Sequence, residues 1–166
     1  MDEYNLALLI IRVAVGVTMA LHGIAKYRGG INGVAGWFDG MGMRPGKLHA
    51  HLAASGEILA GVFFALGLLT PFAGLGFVGL MTVAGITSHA QNGFFIIRDG
   101  WEYVFVLAIV GITVAMLGPG EWSIDHALGI IDGLDGYTGL AISAGGGLLA
   151  AGVTLGIFYR PPQPAD

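Results

Sequence analysis

Five long apolar runs, at least four of them carrying an ionisable residue inside the run, dominate this chain. Crossing a hydrocarbon core of roughly 30 Å takes about 20 apolar residues in a helix. A charge placed in that core costs roughly 2.5–3.5 kcal/mol even on the lenient insertion scale, so it reads by default as functional. The bulk composition agrees: 55% hydrophobic and 11% charged, with a mean hydropathy of +0.77, is too apolar for a soluble domain of this size. The absence of cysteine excludes structural disulfides, thiolate metal sites and a thiol redox relay within the chain. A net charge of −4 argues against a nucleic-acid partner, which requires a basic face. The first run lacks a basic flank before it, carries Arg12 and is followed by no small-residue cleavage site, so it is expected to be a retained helix.

The runs are delimited by turn residues. Residues 6–25 end at Lys26 and Arg28, and residues 48–69, interrupted only by Ser55 and Glu57, stop at Thr70-Pro71. Proline suits the first turn of a helix, so the third run, 72–89, is expected to return at once as a tight antiparallel hairpin. Residues 101–117 are closed by Gly118-Pro119-Gly120, and residues 139–159 by Arg160-Pro161-Pro162. None of the runs alternates with the period of two that barrel strands require. Two connections are long enough for short segments lying in the membrane interface: one built on Ile31, Val34, Trp37, Phe38 and Met41, the other on Trp122, Ile124, Leu128, Ile131 and Leu134. The expected architecture is all-α: an integral membrane four-helix bundle plus a fifth transmembrane helix, with interfacial segments in the first and fourth loops.

Five crossings place Lys26, Arg28, Arg44, Lys47, Arg98 and Arg160 on one side, while the other side holds Asp2, Glu3 and a loop with four acids and no base. The positive-inside rule then puts the N-terminus outside and the C-terminus in the cytoplasm, across the plasma membrane. At about 1.5 Å per residue, His22, His89 and Glu102 fall in one layer near the cytoplasmic leaflet. Glu57 lies deeper, and His49, His51 and Lys26 stand at the rim. Arg12, Gly16, Met19, Gly23 and Lys26 follow one face of the first helix, so Arg12 is expected to reach towards Glu57. Arg12, His22, Glu57, His89 and Glu102 form the candidate polar pocket.

Each of these residues also has a plainer reading. Arg12 and Glu57 would serve as an ion pair locking two helices, the histidines would bond to backbone carbonyls, and Glu102 would be a first-turn acid favoured by the helix dipole. No metal is expected and no cofactor motif is present, since the histidines lack a ligating spacing and His49 and His51 face different ways. On the fifth helix Gly145, Gly152 and Gly156 make a candidate docking face for a neighbouring helix.

Arg12, His22-Gly23 with Lys26, Glu57 in a leucine-rich helix ending Gly67-Leu68-Leu69-Thr70-Pro71, His89, Trp101-Glu102-Tyr103, and Gly118-Pro119-Gly120-Glu121-Trp122-Ser123-Ile124-Asp125 together resemble the DoxX family over roughly residues 6–126. The resemblance implies a four-helix membrane domain over residues 1–126. In that family such proteins occur as the small membrane subunit of a thiosulfate:quinone oxidoreductase and as membrane partners of soluble redox and detoxification enzymes. Residues 127–166 depart from the pattern with an acidic loop, a fifth helix and a tail, and the missing cysteines place any thiol relay on a partner. The expected function is an accessory or anchoring subunit of a membrane redox complex, its polar cluster contacting a quinone headgroup. A purely structural assembly subunit is the second reading, and a small-molecule or lipid transporter the third.

Overall fold

The computed structural model describes residues 2–130 and 133–162. Every apolar run becomes a helix: α1 is Asp2–Arg28, α3 Gly46–Leu66, α4 Thr70–Ala84, α5 Glu102–Leu117 and α7 Gly136–Phe158. Between them lie two short helices, α2 (Ile31–Gly40) and α6 (Ile124–Leu128). Two of the long helices loosen into a wide π-type turn, at Gly85–His89 after α4 and at Ala141–Gly146 within α7. Four helices are long and apolar enough to cross a membrane: Asp2–Arg28, Gly46–Leu66, Thr70–Asn92 and Gly136–Phe158. The fifth, α5, has 16 residues, a rise of about 24 Å, yet it matches the depth of α1. Tyr103 near its start meets His22 of α1, and Leu117 at its end accepts a hydrogen bond from Tyr4. The chain is a multi-pass membrane protein.

Small residues set the packing. Between α1 and α3, a Cβ on Gly16 or Gly61 would stand 2.5 Å from the other's carbonyl oxygen, so the two backbones touch along a small-residue seam. A Cβ on Gly76 of α4 would lie 2.9 Å from Ala60 of α3, and one on Gly74 would lie 2.7 Å from the Gly111 carbonyl of α5. The helix α7 adds to the outside of α4 and α5 through Gly139 against Ala115 and Gly147 against Val78. Around the core of Met19, Phe64, Phe77, Met81 and Leu107, the α1–α3, α3–α4 and α4–α5 seams are tightly closed, and α1 and α5 approach at few points. Gly145, Gly152 and Gly156 have nothing within 4 Å of where a Cβ would sit.

The interfacial segments differ in kind. In α2 the spacing of apolar residues buries Ala35 and Phe38 against Met43 and Ala50, and leaves Trp37 exposed. The second segment contracts to α6, which Ser123 caps by accepting from the His126 amide. Ile131 and Asp132, expected to continue that segment, lie outside the described residues.

Candidate functional site

A cavity of about 570 Å³ lies at the end of the bundle where Lys26, Lys47 and Arg160 gather, with walls from α1, α2, α3, α4, α5 and α7. Most of its wall is aliphatic, and its polar groups form two layers. The inner layer is His22 and Lys26 of α1, Glu57 of α3 and Tyr103 of α5. The outer layer is His49 of α3 with Thr87, Ser88 and His89 in the wide turn that follows α4. Glu57 and His49 are eight residues apart on α3, so the layers are separated by about 12 Å.

The inner layer centres on an ion pair. Lys26 Nζ donates to Glu57 Oε1 at 2.8 Å and to Oε2 at 2.5 Å, with both side chains largely buried. Its geometry follows from helix direction. A Cα–Cβ bond tilts towards its own helix N-terminus, which for Lys26 means deeper into the bundle and for Glu57 means back towards the basic end. The two side chains converge. Beside them His22 Nε2 stands 3.5 Å from the Tyr103 hydroxyl, with ring centroids 6.0 Å apart. Such a cluster can donate hydrogen bonds and exchange protons with a polar group placed in an otherwise apolar chamber.

The expected Arg12–Glu57 pair does not form. The same Cβ tilt carries Arg12, near the other end of α1, outward: its Nε donates to the Leu8 carbonyl at 3.3 Å and its Nη2 to the Trp122 carbonyl at 2.6 Å. Arg12 is fully buried and packs against Gly67, whose left-handed conformation (φ 61) both ends α3 and leaves room for the guanidinium. Next to it Asp125, also fully buried, accepts from the amides of Leu69 (2.7 Å) and Thr70 (2.9 Å) and from the Thr70 hydroxyl (2.7 Å). A carboxylate from the fourth loop thus caps the positive end of α4. The clamp at this end is completed by Asn5, whose side-chain oxygen accepts from the Glu121 amide at 3.0 Å.

Of the five residues proposed from sequence, His22, Glu57 and His89 stand in one cavity wall; Arg12 and Glu102 do not. The first-turn acid Glu102 accepts from the Ile96 amide at 2.9 Å and so ties down the loop before α5. The His89 Nδ1 lies 2.7 Å from the Asp99 carbonyl, so Nδ1 carries the proton and anchors the same loop. His49 is buried between Phe38 and Phe158, and its Nε2 has no hydrogen-bond partner among the described residues. Three important side chains have no assigned role in the sequence or stand at the periphery there. Depth along the helix alone sets Lys26 at the rim, although the tilt of Cβ bonds signals its inward reach. Tyr103 and Asp125 stand within the motifs that carry the family resemblance, but nothing in their spacing marks what either one contacts. Among the described residues no group of three or more potential ligands is arranged for a metal.

The DoxX family model matches residues 7–90. That span contains Arg12, His22, Lys26, Glu57 and His89, and stops short of Tyr103 and Asp125. An uncharacterised protein of Haemophilus influenzae is similar to this chain, with 23% identity over 129 residues, covering 73% of this chain and 82% of that protein. No solved structure matches significantly. A match across half of the sequence, beginning in α1 and running past α4 and the wide turn that follows it, places the chain in the DoxX family.

Proposed function

We propose that this protein is the membrane-embedded accessory subunit of a redox complex, and that its cavity receives the headgroup of a bilayer-dissolved quinone in the inner polar layer. One observation carries the reading: the buried Lys26–Glu57 pair with His22 beside it opens onto a chamber whose remaining wall is mostly aliphatic. A quinone needs hydrogen-bond donors at its carbonyl oxygens and protons on reduction, and an apolar space for its tail. Concentration of the basic side chains at the cavity end supports an orientation with that end in the cytoplasm of a plasma-membrane protein.

Trp37 lines the cavity, which gives the proposal an intrinsic probe. Titration of the detergent-solubilised protein with decylubiquinone should quench tryptophan emission saturably. Trp37→Phe should remove most of the saturable signal, and Glu57→Gln and His22→Gln should weaken binding by about ten-fold, the value of one or two lost hydrogen bonds. Linear, non-saturable quenching, or identical curves for all variants, would overturn it. The structural alternative draws on the outer clamp, where Arg12 and Asp125 serve packing alone. It predicts that His22→Gln and Glu57→Gln lose partner co-purification and activity together, whereas the quinone reading predicts loss of activity with assembly intact.

A further inference from the structure

The four helices around the inner polar layer do not close evenly. Glycine brings backbone against backbone or side chain at the α1–α3, α3–α4 and α4–α5 seams, through Gly16 and Gly61, Gly76 and Gly74 respectively. No glycine makes such an approach between α1 and α5. The side-chain hydrogen bonds across that seam, among the described residues, are two: Tyr4 to the Leu117 carbonyl at the outer end, and Tyr103 with His22 at the cavity. The second is long, at 3.5 Å, and both of its residues line the cavity, His22 being exposed and Tyr103 half-buried. Immediately behind them lie Lys26 and Glu57.

We propose that the α1–α5 seam is the entrance to the cavity, that His22 and Tyr103 form its latch, and that the ligand class is therefore an amphiphile dissolved in the bilayer, entering sideways with its polar group arriving at Lys26–Glu57. The proposal rests on the cavity being a ligand site and does not require the ligand to be a quinone. Packing physics gives the reason this seam opens and the others stay shut. Seams with backbone contact lose many dispersion contacts when separated, whereas parting α1 from α5 at the cavity breaks one weak hydrogen bond between two rings. Leu52, exposed on α3 and also lining the cavity, marks an alternative mouth on that side and serves as the internal control.

The chain has no cysteine, so a single Ala84→Cys in the cavity wall reports entry directly, in proteoliposomes and without any need for specific binding. The probes are N-pyrenylmaleimide, which dissolves in the bilayer, and a sulfonated maleimide confined to water. Pyrenylmaleimide should label Cys at position 84 much faster than the sulfonated reagent. Adding Tyr103→Ala or His22→Ala should speed pyrenylmaleimide labelling about ten-fold, and Leu52→Ala should leave it unchanged. Faster labelling with Leu52→Ala but not with the latch variants would overturn the proposal in favour of the other mouth. Equal rates for the two reagents would overturn it in favour of an aqueous route, and no response to either latch variant would show that the seam is not the entrance. Absence of decylubiquinone binding to the unaltered protein would sink the quinone reading alone.

Discussion

At the scale of single residues, the buried charges separate into two independent groups at opposite ends of α1. Arg12 belongs with Trp122 and the Gly67 turn, and Lys26 with Glu57. The sequence shows that both cations share a face of α1 but not which way each reaches; that depends on Cβ tilt combined with side-chain length. A double-mutant cycle in detergent distinguishes the arrangements. Lys26→Met and Glu57→Gln should be strongly coupled, while Arg12→Leu and Glu57→Gln should add within about 0.5 kcal/mol. Coupling of Arg12 to Glu57 beyond that margin would contradict the geometry. Arg12→Leu alone strips the Trp122 carbonyl of its donor and leaves buried Asp125 without a nearby cation. Asp125→Ala leaves two amides and a hydroxyl unsatisfied and should cost about 3 kcal/mol or more, read as loss of thermal stability. If Asp125→Ala matched the unaltered protein in melting temperature, the capping role of that carboxylate would fall.

At the scale of elements, helix positions were legible from hydropathy and turn residues because lipid admits little else: each apolar run had to satisfy its backbone internally. Legibility failed where a contact joins distant segments. The motifs around Gly67 to Pro71 and Gly118 to Asp125 look like two separate turns in sequence, yet in space Asp125 caps the helix that the first motif begins, and the Asp125 amide donates to the Gly67 carbonyl at 2.9 Å. The glycines were equally opaque, since composition does not tell a packing glycine from a lipid-facing one. Gly61→Ala drives a methyl to 2.5 Å from the Ala20 amide of α1 and should cost about 1–3 kcal/mol, because backbone cannot step aside as a flexible side chain can. Gly152→Ala meets nothing and should leave the stability of the isolated chain unchanged or slightly raised. The informative extension is Gly152→Leu: normal melting in isolation combined with failure to co-purify a partner would make this face of α7 a docking surface, and intact co-purification would reduce it to a lipid-facing stripe.

At the scale of the whole molecule, the two ends of the bundle are chemically unlike. One end carries the clamp built on Arg12 and Asp125 together with the acidic loop; the other carries the cavity, its polar layers and six of the chain's seven Lys and Arg residues, Arg12 being the exception. Backbone hydrogen bonds tie the chain's return to the basic end, where the Arg160 amide donates to Gly42 and the Arg44 amide to Phe158. This asymmetry makes orientation a consequence of charge rather than of any signal in one helix. It also makes orientation measurable, since each introduced thiol is unique in a chain without cysteine. Glu121→Cys lies in the exposed connection after α5, and Gln91→Cys in the exposed connection before it. In intact cells a membrane-impermeant maleimide should label Glu121→Cys at once and Gln91→Cys only after permeabilisation. The reverse pattern would invert the orientation and put the cavity on the outer side. Labelling of both from the same side would be more damaging still, because it would mean that the short α5 does not cross, and a cavity wall that depends on Tyr103 of α5 meeting His22 of α1 would have to be rebuilt.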